Sequence, residues 1–189
     1  KTRLEQFGVD IDKLIYMTPE YMEEIFDIIE TICKEKIANG TDKDPLLIVW
    51  DTVAMTATKE EISRKSEDLE IASQAKVLTR NLRRTRGILR KTNTGVLIIN
   101  QARDNQDRFG DLFTMPGGRA LHHTADIIVR VNKIKPNANE QGIRFSTPAK
   151  NKLYRPFQTT TLQFDYVKGF TRENSISAFC EFLTQINIL

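Results

Sequence analysis

Two short apolar runs that each end on polar residues constrain the fold of this chain more than any other feature. The first, Leu46-Leu47-Ile48-Val49-Trp50, stops at Asp51-Thr52. The second, Val96-Leu97-Ile98-Ile99, stops at Asn100-Gln101. Unbroken β-branched and aliphatic runs of this kind predict strands of a parallel sheet, buried on both faces. In open α/β sheets ligands bind beyond the carboxyl ends of the strands, where Asp51 and Gln101 would sit. A carboxylate there can hold a hydrated magnesium ion, and a neighbouring amide can donate to a phosphate. The two strand ends read as half of a nucleotide pocket. No Gly-x-x-x-x-Gly-Lys-Ser/Thr loop occurs among the 189 residues to cradle phosphates with backbone N–H groups. The chain opens on Lys1-Thr2-Arg3-Leu4, and with that loop absent a truncated N-terminus is expected.

The length supports one ordinary domain with a sizeable core. Apolar residues at 40% and charged residues at 28% are usual for a globular protein. No apolar run approaches the roughly 18 residues of a membrane span, and no secretory signal is present. Cys33 and Cys180 are isolated thiols at helical apolar positions, read as buried reduced cysteines of a cytosolic protein. The net charge of +3 is small but unevenly spread. From Lys76 to Lys91 there are seven basic residues (Lys76, Arg80, Arg83, Arg84, Arg86, Arg90, Lys91) and no acid, whereas Glu20 to Asp44 holds eight acids against three lysines. Such faces are commonly just solvated; they also suit a surface that meets phosphates or docks head to tail on its own copy.

Along the chain, Leu14-Ile15-Tyr16 is a short strand candidate, and Thr18-Pro19 supplies an N-cap with proline at the first helical position. Met22, Ile25, Phe26, Ile29, Ile32, Cys33 and Ile37 recur at helical spacing, and Asn39-Gly40 closes that helix. The Asp51 strand follows, a strand–helix–strand unit of a parallel sheet. Residues 56–70, with Lys59, Arg64 and Lys65, read as a polar loop or frayed turn. Ile71, Ala75, Leu78, Leu82 and Leu89 mark one face of the basic helix, and Thr92-Asn93-Thr94-Gly95 turns into the Gln101 strand. Residues 102–118 form a long loop ending in Pro116-Gly117-Gly118, of the kind that usually carries function. Strands are expected over Asp126–Asn132, Gly142–Lys150 and Thr159–Tyr166, with a turn at Pro136–Gln141 and a short helix over Ser177–Ile186.

Taken in order, these segments resemble the bacterial and phage RecA-type recombinases. The resemblance rests on Gly8-Val9-Asp10-Ile11-Asp12-Lys13-Leu14, Val49-Trp50-Asp51-Thr52-Val53-Ala54, Ile99-Asn100-Gln101, Gly117-Gly118-Arg119-Ala120-Leu121, and Lys150-Asn151-Lys152 with Pro156-Phe157. Each motif alone is weak, since Asp-capped strands occur throughout the P-loop ATPases. The ordered set, from near Gly8 to near Phe170, is specific, and Lys-Asn-Lys before Pro-Phe discriminates most. The flanks and loops look more like a phage recombinase of the UvsX type than a cellular one. The resemblance implies residues 1–189 to be a single RecA-like P-loop ATPase core: a mostly parallel twisted sheet with flanking helices and an antiparallel extension on the C-terminal side, lacking its Walker A segment.

It also implies site residues. Asp51 matches the Walker B aspartate, which holds magnesium through water, and Thr52 the small hydroxyl residue beside it; Gln101 matches the γ-phosphate sensor. Gain or loss of that amide's hydrogen bond would order or release the loop that follows. Lys150 and Lys152, two apart on a strand, project to the same side, and in the family reach the neighbouring protomer's ATP as an arginine finger does. Residues 63–72, with Arg64 and Lys65, fall at the first DNA-binding loop, and Ala102–Gly118 at the second. Lys76 and Arg83, seven residues apart on one helix face, match DNA-facing positions, and Arg103, Gly117 and Gly118 match loop contacts. Arg119 at the Gly-Gly helix start, Arg108 and Phe109 are further candidates, the phenylalanine either stacking on bases or anchoring the loop. His122-His123 stands where the family has a basic and an aromatic residue at its subunit interface, and no third ligand suggests a metal there. The implied cofactors are ATP and Mg2+. The implied partners are single- and double-stranded DNA and further copies in a helical filament, in a bacterial or phage-infected cytoplasm. Two alternatives stand beside it: a hexameric RecA-fold motor such as a helicase, which shares the Asp-tipped and Gln- or His-tipped strands, and a catalytically silent DNA-binding or regulatory paralogue that never had a phosphate loop.

Overall fold

The computed structural model describes residues 2–6, 8–63, 73–104, 113–117, 119–133, 142–146, 150–153, 155, 157–163 and 170. In chain order the elements are α1 (Thr2–Gln6), α2 (Met22–Ala38), β1 (Leu46–Trp50), α3 (Lys59–Ser63), α4 (Ser73–Lys91), β2 (Thr94–Ile98), β3 (Arg103–Asp104), β4 (Phe113–Thr114), α5 (Arg119–Thr124), β5 (Arg130–Lys133), β6 (Gly142–Ser146) and β7 (Thr159–Gln163). Single 3-10 turns lie at Ile11–Lys13 and Val53–Met55. They fall into two compact units, one of Met17–Thr124 and one of Lys1–Tyr16 with Ala125–Leu189.

The Met17–Thr124 unit layers helices on a parallel pair of strands. β1 and β2 run parallel in the register Leu46 to Thr94 through Trp50 to Ile98. A crossover containing α4 joins them, as a parallel pair requires. Helices α2 and α4 pack on each other. Phe26 of α2 meets Trp50 of β1 edge to face at 5.6 Å. Met22, Phe26, Trp50, Val53, Leu78, Leu82 and Leu121 form the core. The buried side of α4 also holds Asn81 and Thr85, which bury at little cost because they bond to carbonyls one turn back, Val77 O at 3.0 Å and Asn81 O at 2.9 Å. Cys33 is buried and free, and accepts from Thr92 Oγ1 at 3.3 Å. Asn39 caps α2, and Gly40 takes φ +69°, a left-handed residue that closes a helix readily as glycine.

Several expectations change. The strands alternate rather than being buried on both faces: Trp50 is 5% exposed but Leu47 is 64% and Val49 54%, and Leu97 across from them is 51%. The reason is that α2 and α4 cover one side of the pair, and among the described residues nothing covers the other. Leu14-Ile15-Tyr16 is irregular and exposed, because no described strand flanks it to satisfy its backbone. Helix α2 begins at Met22, not at Thr18-Pro19. Its first N–H donates to Ala57 O at 2.9 Å, and Tyr21 gives no side-chain cap, so tertiary pairing sets the start. The 56–70 stretch contains α3, nucleated by a capping box in which Thr58 and Glu61 bond reciprocally at 2.6 and 3.2 Å. β2 begins at Thr94, so the turn shortens to Thr92-Asn93.

In the other unit, β5, β6 and β7 form an antiparallel sheet in that order, with Val131 opposite Phe145 and Ile143 opposite Leu162. Antiparallel strands are therefore present on the C-terminal side of the sequence, as a sheet of their own, and β5 begins at Arg130 rather than at Asp126. The 136–141 turn, the 177–186 helix and Cys180 lie outside the described residues. Among the described residues, no helix is long and apolar enough to cross a membrane.

Candidate functional site at the strand ends

The carboxyl ends of β1 and β2 lie side by side. Trp50 O accepts from Ile99 N at 2.9 Å, and Ile99 O accepts from Val53 N at 3.1 Å. Two backbone bonds thus bracket Asp51-Thr52 against the residue before Asn100-Gln101. Asp51 and Gln101 are exposed at this edge, as strand-end side chains must be to meet a ligand. Thr52 Oγ1 is buried and has no hydrogen-bond partner, alone in this respect among the described residues. A buried hydroxyl without a partner costs stability unless a ligand or water satisfies it. The donor set of a carboxylate, a hydroxyl and an amide fits hydrated magnesium beside a phosphate.

Both flanks of this edge are braced. On the β1 side, Trp50 Nε1 donates to Thr56 Oγ1 at 3.0 Å, and Thr56 Oγ1 donates to Thr52 O at 2.8 Å. On the β2 side, Asn100 Oδ1 accepts from Gln101 N at 2.9 Å, while Asn100 Nδ2 donates to Pro116 O at 2.9 Å. Asn100 therefore ties the Gln101 end to the far foot of the 102–118 excursion, whose near part is the β3–β4 antiparallel pair. Sequence reasoning passed over Asn100. Its only signal was an amide between an apolar strand and Gln101.

The cations separate into groups. Lys76 and Arg83 are exposed on α4 and, with Ala75, Thr79 and Arg80, line an open groove of about 560 Å³. Arg80, named in sequence only as part of a charge run, completes that surface. Arg84 faces elsewhere, held by Asp27 at 2.7 Å and Glu30 at 3.2 Å of α2. Gly117 is buried with φ +89°, and a Cβ there would overlap Leu78 Cδ1 and lie 3.6 Å from Val53 Cγ1. Arg119 is exposed at the start of α5. Arg103 lies on β3. Arg64, Lys65, Arg108, Phe109 and Gly118 lie outside the described residues.

Lys150 and Lys152 belong to the other unit. The described part of β6 is Gly142–Ser146, and Asn151 between the two lysines makes an isolated antiparallel bridge to Ile127. Lys150 O accepts from Ile128 N at 3.0 Å and Lys152 N donates to Asp126 O at 2.9 Å. Lys152 Nζ also pairs with Asp126 Oδ1 at 2.9 Å. The backbone of the pair is thus held by the 126–128 segment. His122 and His123 stand edge to face at 5.9 Å on α5, and among the described residues no three or more His, Cys, Asp or Glu side chains gather as a metal cluster.

Known proteins share this sequence pattern over nearly its whole length. The model of the RecA N-terminal domain matches residues 2–171. The chain is 35% identical over 191 residues to Protein RecA of Mesoplasma florum, covering 98% of this chain and 54% of that protein. It is 33% identical over 182 residues to Protein RecA of Mesomycoplasma hyopneumoniae strain 7448, covering 94% and 52%. It is 30% identical over 173 residues to Protein RecA of Aquifex pyrophilus, covering 89% and 48%. The chain spans about half the length of the curated relatives it matches.

Proposed function

Because the chain belongs to the RecA family through its N-terminal domain, we propose that the full-length protein is an ATP-dependent recombination protein. It assembles on single-stranded DNA as a helical filament and promotes strand exchange with duplex DNA. The observation that carries this reading is the parallel pairing of β1 with β2, which puts the acid-tipped and amide-tipped ends at one edge of one sheet. When bound, ATP with magnesium supplies the phosphoryl-transfer chemistry. Asp51 and Thr52 hold the hydrated metal, and the Gln101 amide donates to the terminal phosphate. Lys150 and Lys152 lend positive charge to the nucleotide of a neighbouring copy, so hydrolysis depends on assembly.

DNA meets cations and backbone amides more than base edges. Lys76 and Arg83 on α4, Arg103, Gly117, Gly118 and Arg119 around the 102–118 excursion, and Arg64, Lys65, Arg108 and Phe109 on the two loops supply that surface. The site of action is the cytoplasm of a bacterium or of its phage-infected state.

Electron microscopy of the full-length protein with a non-hydrolysable ATP analogue and single-stranded DNA tests the reading. An open helix on the DNA is the expected outcome. Closed rings would replace it with a hexameric motor, and absence of any nucleotide-dependent assembly would leave a silent DNA-binding paralogue.

A further inference from the structure

The Asp51 strand end and the basic helix are physically joined by one side chain that the sequence did not single out. Past Asp51-Thr52 the chain makes the Val53–Met55 turn, in which Val53 O accepts from Thr56 N at 3.1 Å. Gln74, in the first turn of α4, donates its Nε2 amide to two of the carbonyls there: Val53 O at 3.2 Å and Thr56 O at 2.9 Å. Thr56 is the residue whose hydroxyl grips Thr52 O at 2.8 Å. Val53 is fully buried in the core against Leu78 of α4. A short rigid chain therefore runs from Thr52, beside the strand-end carboxylate, through the turn to Gln74. Two residues further along α4 is Lys76, at the start of the groove that continues through Arg80 to Arg83.

We propose that Gln74 is a positioning residue that makes the Asp51–Thr52 turn and helix α4 move as one body. A ligand that shifts the strand end then shifts the groove cations, and the reverse. The inference rests on the nucleotide-and-DNA reading above and adds to it the route by which the two sites sense each other. An amide is suited to this work because it presents two N–H groups to two carbonyls at once, whereas a hydroxyl presents one. The α-helix carries the displacement because its backbone bonds make it stiff along its length. Coupling between two sites is reciprocal: whatever factor DNA adds to nucleotide affinity, nucleotide must add to DNA affinity. A side chain that merely stabilised the fold would change the separate affinities or the melting point, not this factor.

The test uses full-length protein, a non-hydrolysable ATP analogue and a fluorescent oligothymidylate. Each dissociation constant is measured alone and with the other ligand saturating, and melting is recorded for every variant. For Gln74→Met the separate affinities should stay within about twofold of wild type, while the mutual enhancement falls on the order of tenfold in both directions. Gln74→Lys, which still donates to carbonyls, should keep most of the enhancement. If Gln74→Met does not fold, Gln74→Leu, likewise uncharged and without the donor, reads the same effect. Enhancement unchanged in a donor-free variant, or lost equally in a normally melting Gln74→Lys, overturns the inference. A wild-type protein with no mutual enhancement would instead overturn the functional reading beneath it.

Discussion

At the scale of single residues, the positions that matter are those where a small chemical group is fixed by its surroundings. Gly117 is the clearest. Its φ of +89° lies where a side chain is strained, and a Cβ there would enter the space of Leu78, which is fully buried. Gly117→Ala should cost about 2–4 kcal/mol, the strain of a left-handed residue added to overpacking of a filled core. Chemical denaturation checks this, and an unchanged midpoint would mean that Leu78 can turn aside. The sequence pointed to Gly117 as a DNA-facing loop residue; the packing gives it a second duty at the base of the 102–118 excursion. Glu30 shows the reverse case of a surface group. Hydrogen bonding from Lys34 holds its carboxyl below the usual carboxylate range, against the opposing effect of desolvation. What stability it adds is therefore present at neutral pH and fades as acid protonates it.

At the scale of elements, α4 does three things on three faces. Its apolar face, with Leu78 and Leu82, seats the helix on the core. Its Arg84 clasps Asp27 and Glu30 of α2, an exposed pair of ion bridges that steers the packing more than it stabilises. Its Lys76, Arg80 and Arg83 line the groove. The division predicts different outcomes for arginines that look alike in sequence. Replacing Lys76 and Arg83 together by alanine in the full-length protein should flatten the plot of log affinity for single-stranded DNA against log salt by about 1.4, near 0.7 for each phosphate no longer neutralised. Arg84→Ala should leave that slope where it is. A change of slope with Arg84 and none with the pair would move the DNA surface to another face. The basic character of α4 was legible from its composition, and its core face from the spacing of Leu78 and Leu82. Which arginine serves which face was not, because that depends on where the acids of α2 lie after folding.

At the scale of the whole molecule, the Met17–Thr124 unit holds all the core residues that cluster around Trp50, the sole tryptophan. Expressed alone, residues 17–124 should keep a blue-shifted Trp50 emission and unfold cooperatively, since burial of that indole against Phe26 lies wholly within the unit. Emission at the wavelength of solvated indole would show that the unit needs the rest of the chain. The two strands, the two long helices, their order and the acid-tipped and amide-tipped ends all came from local pattern. Runs of aliphatic residues and recurrences every three or four positions report which residues leave water, and that is a property of neighbours along the chain. Distant segments decided the rest. Helix α2 starts where Ala57 offers a carbonyl, among the described residues α2 and α4 cover only one sheet face, Lys152 lies beside Asp126, and Gln74 bonds to the Val53–Met55 turn. Hydrogen bonds and ion pairs of this kind join residues far apart in sequence, and only the folded path of the backbone brings their partners within reach.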